Sequence, residues 1–464
     1  MLNLVNIRNG WIDNMNKILN EKKINFILSI IVICSFCAFF AIKIDYSKNL
    51  IICFSFFIIG FFSLLMLCFG DDFLSLNKIY FSFIFIFFCW APFSQYLDNI
   101  NLWNHIDFTE NNYLFSNFLT IMSMFIVFST TFLLKRKNCK TKGCKININL
   151  SSFSSFILIV INLLILLYFI ISNGLFTFES ESTDTIFTSI QKIIRFFPVA
   201  SLLFFIFNYF SLKNRKVKYG LLMNSIIVLL LYFPFAGSVS RFLLFGTYII
   251  IFALPLSRIK IKSLLPLGLL IGFSIIFPAF NFFKTHTIYE ISEFTFSYEG
   301  FNTVDFDAYQ MLMESINYVE FEGFLNFKNI ITSFLFFVPR GIWSGKLEHS
   351  GVLISSYYGA YFTNLSCPYI AEFYLAFGFF GVIIGSGFLG YIIKVFDNWL
   401  FSKNMIKISI SSIVLGMFIY LLRGAMLPTL AYTFALIISF ILCFIIVFIT
   451  NKDNFNKKII MIRK

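Results

Sequence analysis

The sequence predicts an all-α, polytopic membrane protein with about twelve transmembrane helices, and three observations carry that prediction. Of its 464 residues, 59% are hydrophobic and 13% charged, with a mean hydropathy of +0.84. Apolar runs of ~20 residues recur almost end to end, each long enough to cross a bilayer as a helix. Lys and Arg, which give a formal net charge of +13, gather in the links between alternate runs. The first observation excludes soluble dehydrogenases, nucleic-acid-binding proteins and extracellular disulfide scaffolds. The 69 Phe rise together with Ile, Asn and Lys, a pattern that AT-rich coding also produces, so single phenylalanines carry no signal.

In chain order the expected spans lie near 26–43, 50–69, 79–93, 113–134, 153–172, 189–210, 220–236, 242–257, 264–282, 369–393, 408–427 and 429–449. The basic groups are Arg8, Lys17, Lys22 and Lys23; Lys135 to Lys145; Lys213 to Lys218; Arg258, Lys260 and Lys262; Lys394, Lys403 and Lys407; and the tail Lys452 to Lys464. Among links of that parity only Gly70–Lys78 is poor in them. Short basic links face the cytoplasm, and an even number of spans places both termini there. Charge placed this way sets topology, and no nucleic-acid partner is expected. A polar stretch precedes the first span and no small-residue cleavage site follows, so that span is expected to be retained. Residues 1–464 read as one integral membrane domain.

Cysteine usage adds little. Cys34, Cys37, Cys53, Cys68, Cys89 and Cys443 fall in spans, where Cys behaves as a small hydrophobe. Cys139 and Cys144 lie in a cytoplasmic link, and only Cys367 falls near the outer face, so no disulfide partner is expected for it there. No Cys/His set has metal-ligand spacing, and neither a metal nor a cofactor is expected.

Outer links are short except for 94–112 and one large loop, 283–368, and long loops on one side of a scaffold commonly carry function. Within the large loop Asp305–Glu320 reads as an amphipathic helix. Ala308, Met311, Leu312, Ile316 and Val319 share a face, interrupted by Asp305, Asp307, Glu314 and Glu320. Ile330–Val338 is apolar but too short to cross, so it is expected to dip into the outer leaflet. Gly385-Ser-Gly-Phe-Leu-Gly390 fits a dinucleotide fingerprint but lies in a span with no preceding strand, and reads as close helix packing on small residues. Asp305-Phe-Asp307 reads as a solvated acidic turn. His105 and His286, without spaced partners, read as ordinary loop histidines.

Arginines at membrane depth resist such plain explanations. Arg241 follows Gly237-Ser-Val-Ser240 at a tight turn, Arg340 ends an apolar stretch, and Arg423 lies near the outer end of its span. A charge near the apolar core costs about 2.5–3.5 kcal/mol on insertion scales and normally needs a partner. With Lys346 close by, these cations outnumber the nearby carboxylates, of which Glu372 at a span start is the clearest. Guanidinium groups present planar forks suited to phosphate oxygens and stay charged at any relevant pH. The expectation is a diphosphate-lipid site on the outer face, held by Arg340, Arg241 and Arg423 with Lys346 assisting. Glu372, Glu348 and His349 are the ionisable groups nearest these cations in the sequence, and a structural ion pair of Glu372 with Arg340 or Arg423 is one reading of them.

The sequence also resembles the Wzy-type O-antigen or capsule repeat-unit polymerases. The likeness lies in Ala91-Pro-Phe with Asn101-Leu-Trp, in Val338-Pro-Arg-Gly-Ile-Trp343 with Lys346, and in Ile370-Ala-Glu-Phe-Tyr-Leu-Ala-Phe-Gly378, joined by Arg241 and Arg423-Gly424. Ser344-Gly-Lys-Leu347 stands where family members often carry Pro-x-Lys-Pro. The resemblance implies a GT-C-like, metal-independent glycosyltransferase of a bacterial inner membrane, with 283–368 as its periplasmic loop. It would join undecaprenyl-diphosphate-linked glycans, donor and acceptor, with inversion at the anomeric carbon, with Glu372 as the general base and Glu348 or His349 as the competing one, and work beside a chain-length regulator protein. Three alternatives stay open: a lipid-linked oligosaccharide flippase, an O-antigen ligase, and a channel or ion-coupled transporter. The long outer loop and absence of half-to-half repeats weigh against the first, and the scarcity of Asp and Glu in the spans against the last.

Overall fold

The computed structural model describes residues 2–44 (side chains from 23), 47–69, 73–134, 149–173, 185–233, 241–256, 268, 272, 301–362, 365–402 and 404–451. Over these residues the chain is helical, with no strand. Among these residues nine helices are long and apolar enough to cross a membrane. They are α1 (Leu2–Lys43, from Lys23), α2 (Leu50–Phe69), α3 (Leu76–Leu97), α4 (Glu110–Leu133), α5 (Ser152–Asn173), α6 (Thr185–Phe210), and three C-terminal helices. The expected seventh and eighth spans appear as shorter helices, α7 (Lys218–Leu231) and α8 (Arg241–Leu256). At 1.5 Å per residue they reach only about 21 and 24 Å, short of a full crossing. The expected ninth span, 264–282, lies outside the described residues apart from Gly268 and Gly272.

Three short helices follow, α9 (Ala308–Glu322), α10 (Lys328–Phe334) and α11 (Ser350–Tyr357), before α12 (Tyr369–Leu400), α13 (Met405–Arg423) and α14 (Met426–Thr450). Central α3 is buried on nearly every side, as a helix apolar all round must be. Its start is fixed by Ser75, whose side chain accepts from Lys78 N, and by the Asp397 carboxylate, which accepts from Leu76 N at 2.7 Å. A carboxylate there also meets the positive end of the helix dipole.

Small residues and hydroxyls hold the bundle together, as expected where apolar surface is no scarcer in lipid than in protein. A Cβ on Gly246 would meet the Gly416 carbonyl at 2.5 Å, so α8 and α13 touch backbone to backbone. Gly390 faces Thr130 and Gly385 faces the Phe373 ring just as tightly, in keeping with close packing at that motif. Tyr369 OH joins Tyr80 OH and Ser123 Oγ, each at 2.8 Å, linking α12, α3 and α4. Asn162, Ser201 and Asn224 link α5, α6 and α7 in the same way. Phe380, Ile384, Phe388 and Tyr391 leave an exposed stripe along α12, the kind of surface that lipid covers.

Residues 98–109 and 301–368 cover the same end of the bundle, the loop face. Gln95 Nε2 donates to Phe301 O, Leu102 N donates to Gln310 Oε1, and Gln310 Nε2 donates to Ile100 O. Beneath this cover the acidic interruptions of the amphipathic helix α9 are not all solvated. Ala308, Met311 and Leu312 are buried as expected, but so are Asp307 and Glu314. Glu314 lies under the 98–109 loop, where His105 Nδ1 meets it at 3.0 Å, Asp307 lies against Arg423, and only the C-terminal Glu320, Phe321 and Glu322 of the helix are exposed.

Candidate functional site

At the loop face a cavity of about 850 Å³ lies between α6, α14 and residues 336–352, within the range of small-molecule sites. Ile193, Leu427, Ala431, Phe434 and Ile438 make its walls, and Lys192, Arg340, Lys346, Glu348 and His349 bring charge and polarity to its lining. The chain reverses at Pro339, whose carbonyl accepts from Ile342 N and Trp343 N, and so carries Arg340 at the bend. Lys346 then crosses back beneath the bend, donating to Phe336 O at 2.7 Å and Val338 O at 2.8 Å. Burial, and then the Arg340 charge, push the Lys346 ammonium below its usual pKa. Arg340 Nη1 donates to Glu348 Oε1 at 3.1 Å, with both side chains more than half exposed. Lys192 Nζ lies 4.6 Å from the centre of the Tyr432 ring, a cation–π distance. Lys192, Arg340 and Lys346 thus line the cavity together with the Glu348 carboxylate.

His349 is the N-cap of α11, its Nδ1 accepting from Val352 N at 3.3 Å. An accepting nitrogen carries no proton, so the neutral ring has its proton on Nε2. Burial lowers the His349 pKa, with Arg340 adding to the effect and Glu348 opposing it. The side chain is therefore an N–H donor in its capped form, suited to an anion. A general base would need that nitrogen unprotonated.

Arg340, Lys346, Glu348 and His349 thus line one cavity, whereas Arg423 and Glu372 stand apart from them. Arg423 donates to Asp305 O at 3.0 Å, Val304 O at 3.1 Å and Asp307 Oδ1 at 2.9 Å, and its guanidinium covers the Phe242 ring. Asp307 in turn accepts from Ser366 Oγ at 2.6 Å. The Asp305–Asp307 segment is therefore no solvated turn, because Asp307 is buried against Arg423. Glu372 is buried too, and its carboxylate accepts from Ser350 Oγ at 2.6 Å, Asn329 Nδ2 at 2.9 Å and Met426 N at 2.8 Å. It ties α10, α11, α12 and the start of α14 together through neutral donors and lines no part of the cavity. Arg241 opens α8 next to Phe242, but its side chain lies outside the described residues. Of the three arginines expected to converge, Arg340 and Arg423 each meet their own acid, and the Arg241 side chain is not among those described.

Sequence reasoning passed over Lys192, although an ionisable residue inside an apolar run is itself a signal. It also took His105 for an ordinary loop histidine, yet His105 Nδ1 lies 3.0 Å from Glu314 Oε1, a partner 209 positions away that no local spacing reveals. His286 lies outside the described residues. No family model, curated protein or solved structure matches the chain.

Proposed function

We propose that the chain is a membrane glycosyltransferase of the repeat-unit polymerase kind, with a GT-C-like arrangement of about twelve spans. Its substrates would be glycans carried on undecaprenyl diphosphate, met at the loop face. The cavity is the observation that supports this reading, because it pairs a cationic lining with apolar walls. Those walls follow α14 from Leu427 to Ile438, a rise of about 17 Å, which suits an isoprenoid chain entering from one leaflet. The diphosphate would sit among Arg340, Lys346, Lys192 and the Nε2–H of His349.

The chemistry follows from this placement. The acceptor oxygen bonds to the donor's anomeric carbon as that carbon's bond to the diphosphate breaks, and the electron pair leaves with the diphosphate. Fixed cations at the leaving oxygen favour the transition state over the ground state. Binding of the diphosphate draws Arg340 from Glu348, and the released carboxylate takes the acceptor's hydroxyl proton. Glu348 thereby replaces Glu372 as the preferred base, and attack opposite the leaving group inverts the anomeric centre. A flippase would be built from related halves with short loops on both sides, whereas the sequence has no half-to-half repeat and carries one long outer loop. An O-antigen ligase would use the same diphosphate chemistry, and deletion phenotype separates the two: a polymerase null leaves one repeat unit attached, and a ligase null leaves none.

Arg340→Lys keeps the charge and loses the fork, so polymer resolved on a gel should collapse to one or a few repeat units while the protein level holds. Glu348→Gln should do the same. Long polymer of unchanged length in Arg340→Lys would remove Arg340 from the site.

A further inference from the structure

A second polar site lies on the loop face, at the other end of α11. His349 caps the start of that helix and Tyr358 its end, a separation of about 13 Å along the axis. Tyr358 OH donates to Glu314 O, and its ring stacks on His105 at 5.9 Å and 11°. His105 stacks in turn on Trp103 at 6.2 Å and 15°, and Trp103 on Phe362 at 6.4 Å and 14°. Four rings therefore form one near-parallel column ending at Phe362, which is 54% exposed beside the fully exposed Tyr361.

Behind the column, Glu314 is wholly buried and holds His105 Nδ1 at 3.0 Å. With that nitrogen engaged, Nε2 is the one left for a ligand. Glu314 Oε2 and Trp103 Nε1 have no hydrogen-bond partner among the described residues, and buried polar atoms left so call for a partner such as water or a ligand. The loop bearing Trp103 and His105 is fixed by its own amides, since Asn101 Nδ2 donates to Ile106 O and Asn104 N donates to Asn101 Oδ1. Residues 98–110 include Asp98, Asp107 and Glu110 and no Lys or Arg. Lys48 donates to Asn99 of this loop, but the three carboxylates outnumber it, and burial keeps His105 neutral by lowering its pKa. Aromatic faces with a few neutral hydrogen-bonding groups, on a loop with no cation, match a polyol whose C–H bonds meet the ring quadrupole.

We propose that the Phe362–Trp103–His105–Tyr358 column is a carbohydrate-binding subsite. A sugar ring packs on the exposed aromatic end, and His105 Nε2, oriented by Glu314, hydrogen-bonds a hydroxyl. This rests on the glycosyltransferase reading for the class of ligand and adds where the glycan runs, away from the cationic cavity along α11.

The test uses the full-length protein in nanodiscs and an array of free oligosaccharides with hexose, hexosamine and deoxyhexose ends, followed by saturation-transfer NMR. Binding should weaken by about tenfold in Trp103→Ala, His105→Ala and the exposed-site variant Phe362→Ala, and Phe362→Ala keeps the test valid if the first two fail to fold. Arg340→Lys should leave this binding unchanged while weakening capture of sugar-free undecaprenyl diphosphate. If that lipid does not bind but oligosaccharides bind through Trp103, the diphosphate reading falls and the subsite stands. Oligosaccharides that bind to nothing, or equally to the wild type and to Phe362→Ala, overturn the subsite.

Discussion

Arg340 and Arg423 each face one carboxylate, but at different depths. The Arg340–Glu348 pair is more than half exposed on both sides, whereas Arg423 is 14% and Asp307 1% exposed. Exposed pairs exchange partners readily and contribute little to stability, which suits the release of Glu348 proposed for ligand binding. Breaking a buried pair strands a charge. Arg423→Met leaves Asp307 with Ser366 alone and should cost about 3 kcal/mol, read as a lower melting temperature. Asp307→Asn should cost less, since Arg423 keeps two carbonyls and the Phe242 ring, and the double variant should recover part of the loss. Additive effects in that cycle would deny the pair its structural role. Glu314 gives a pH-dependent case, its pKa raised by burial, and then by the Asp307 charge, from 4.5 to about 8. Between those values the fold holds a proton that the unfolded chain has released, so this contribution to stability fades as pH climbs toward about 8. His105, with its pKa lowered by burial, opposes this only on the acid side. Glu314→Gln should therefore melt increasingly above the wild type between pH 5 and pH 8.5, and a constant difference would show that the carboxyl does not titrate there. Sequence showed that cations gathered at one end of the helices. Which acid met which base was not legible, because Asp307 and Arg423 lie 116 positions apart and His105 and Glu314 lie 209 apart.

Helices were the easiest elements to read, since a run of apolar residues closes its backbone hydrogen bonds within itself. Their interruptions were harder. In α12 the helix breaks at Phe377 and Gly378, where Gly378 takes φ 58°, a conformation open to glycine and strained for side-chain-bearing residues. The carbonyls of Leu375 and Ala376 accept instead from Leu325 N and Phe327 N, so the break is where the loop-face segment docks onto the helix. Gly378→Ala should cost about 1 kcal/mol or more from φ alone, and its Cβ would also lie 2.7 Å from the Phe324 ring. Lower melting temperature with faster proteolysis near residue 325 is expected, and a melting temperature equal to that of the wild type would count against the break. Nothing in Ala371–Phe380 announces this docking, because the residues that complete it lie about fifty positions earlier. The π turn at Ile86–Trp90 within α3 is equally silent in sequence. Element α9 shows the opposite failure, since its periodicity was legible and its burial was not: periodicity reports one apolar face, and a covering loop decides whether the other is wet.

At the scale of the molecule, charge and hydrogen bonding agree on two unlike ends. One end carries the cavity, the aromatic column and the long loops. The other joins the start of α3 to the end of α12 through Asp397, and the start of α5 to the end of α14 through Ser154 and Thr450. Lys213, Arg215, Lys216 and Lys218 belong to that second end, following α6, whose Asn208 accepts from Leu150 N just before α5. If basic links stay in the cytoplasm, the cavity must open on the opposite side, where no nucleotide supplies energy and a diphosphate leaving group must arrive with the substrate. Orientation therefore constrains mechanism. Cysteines placed at Tyr361 and Lys216, in a background with Cys139 and Cys144 changed to Ser, should react differently with a membrane-impermeant maleimide. Tyr361→Cys should label in cells whose outer envelope alone is permeabilised, and Lys216→Cys only after lysis. Tyr361 is fully exposed beside the column, so failure to label there would not come from burial. Labelling of both from the same side would require a bundle whose two ends share one compartment, and the lipid-diphosphate chemistry assigned to the cavity would lose the topology it depends on.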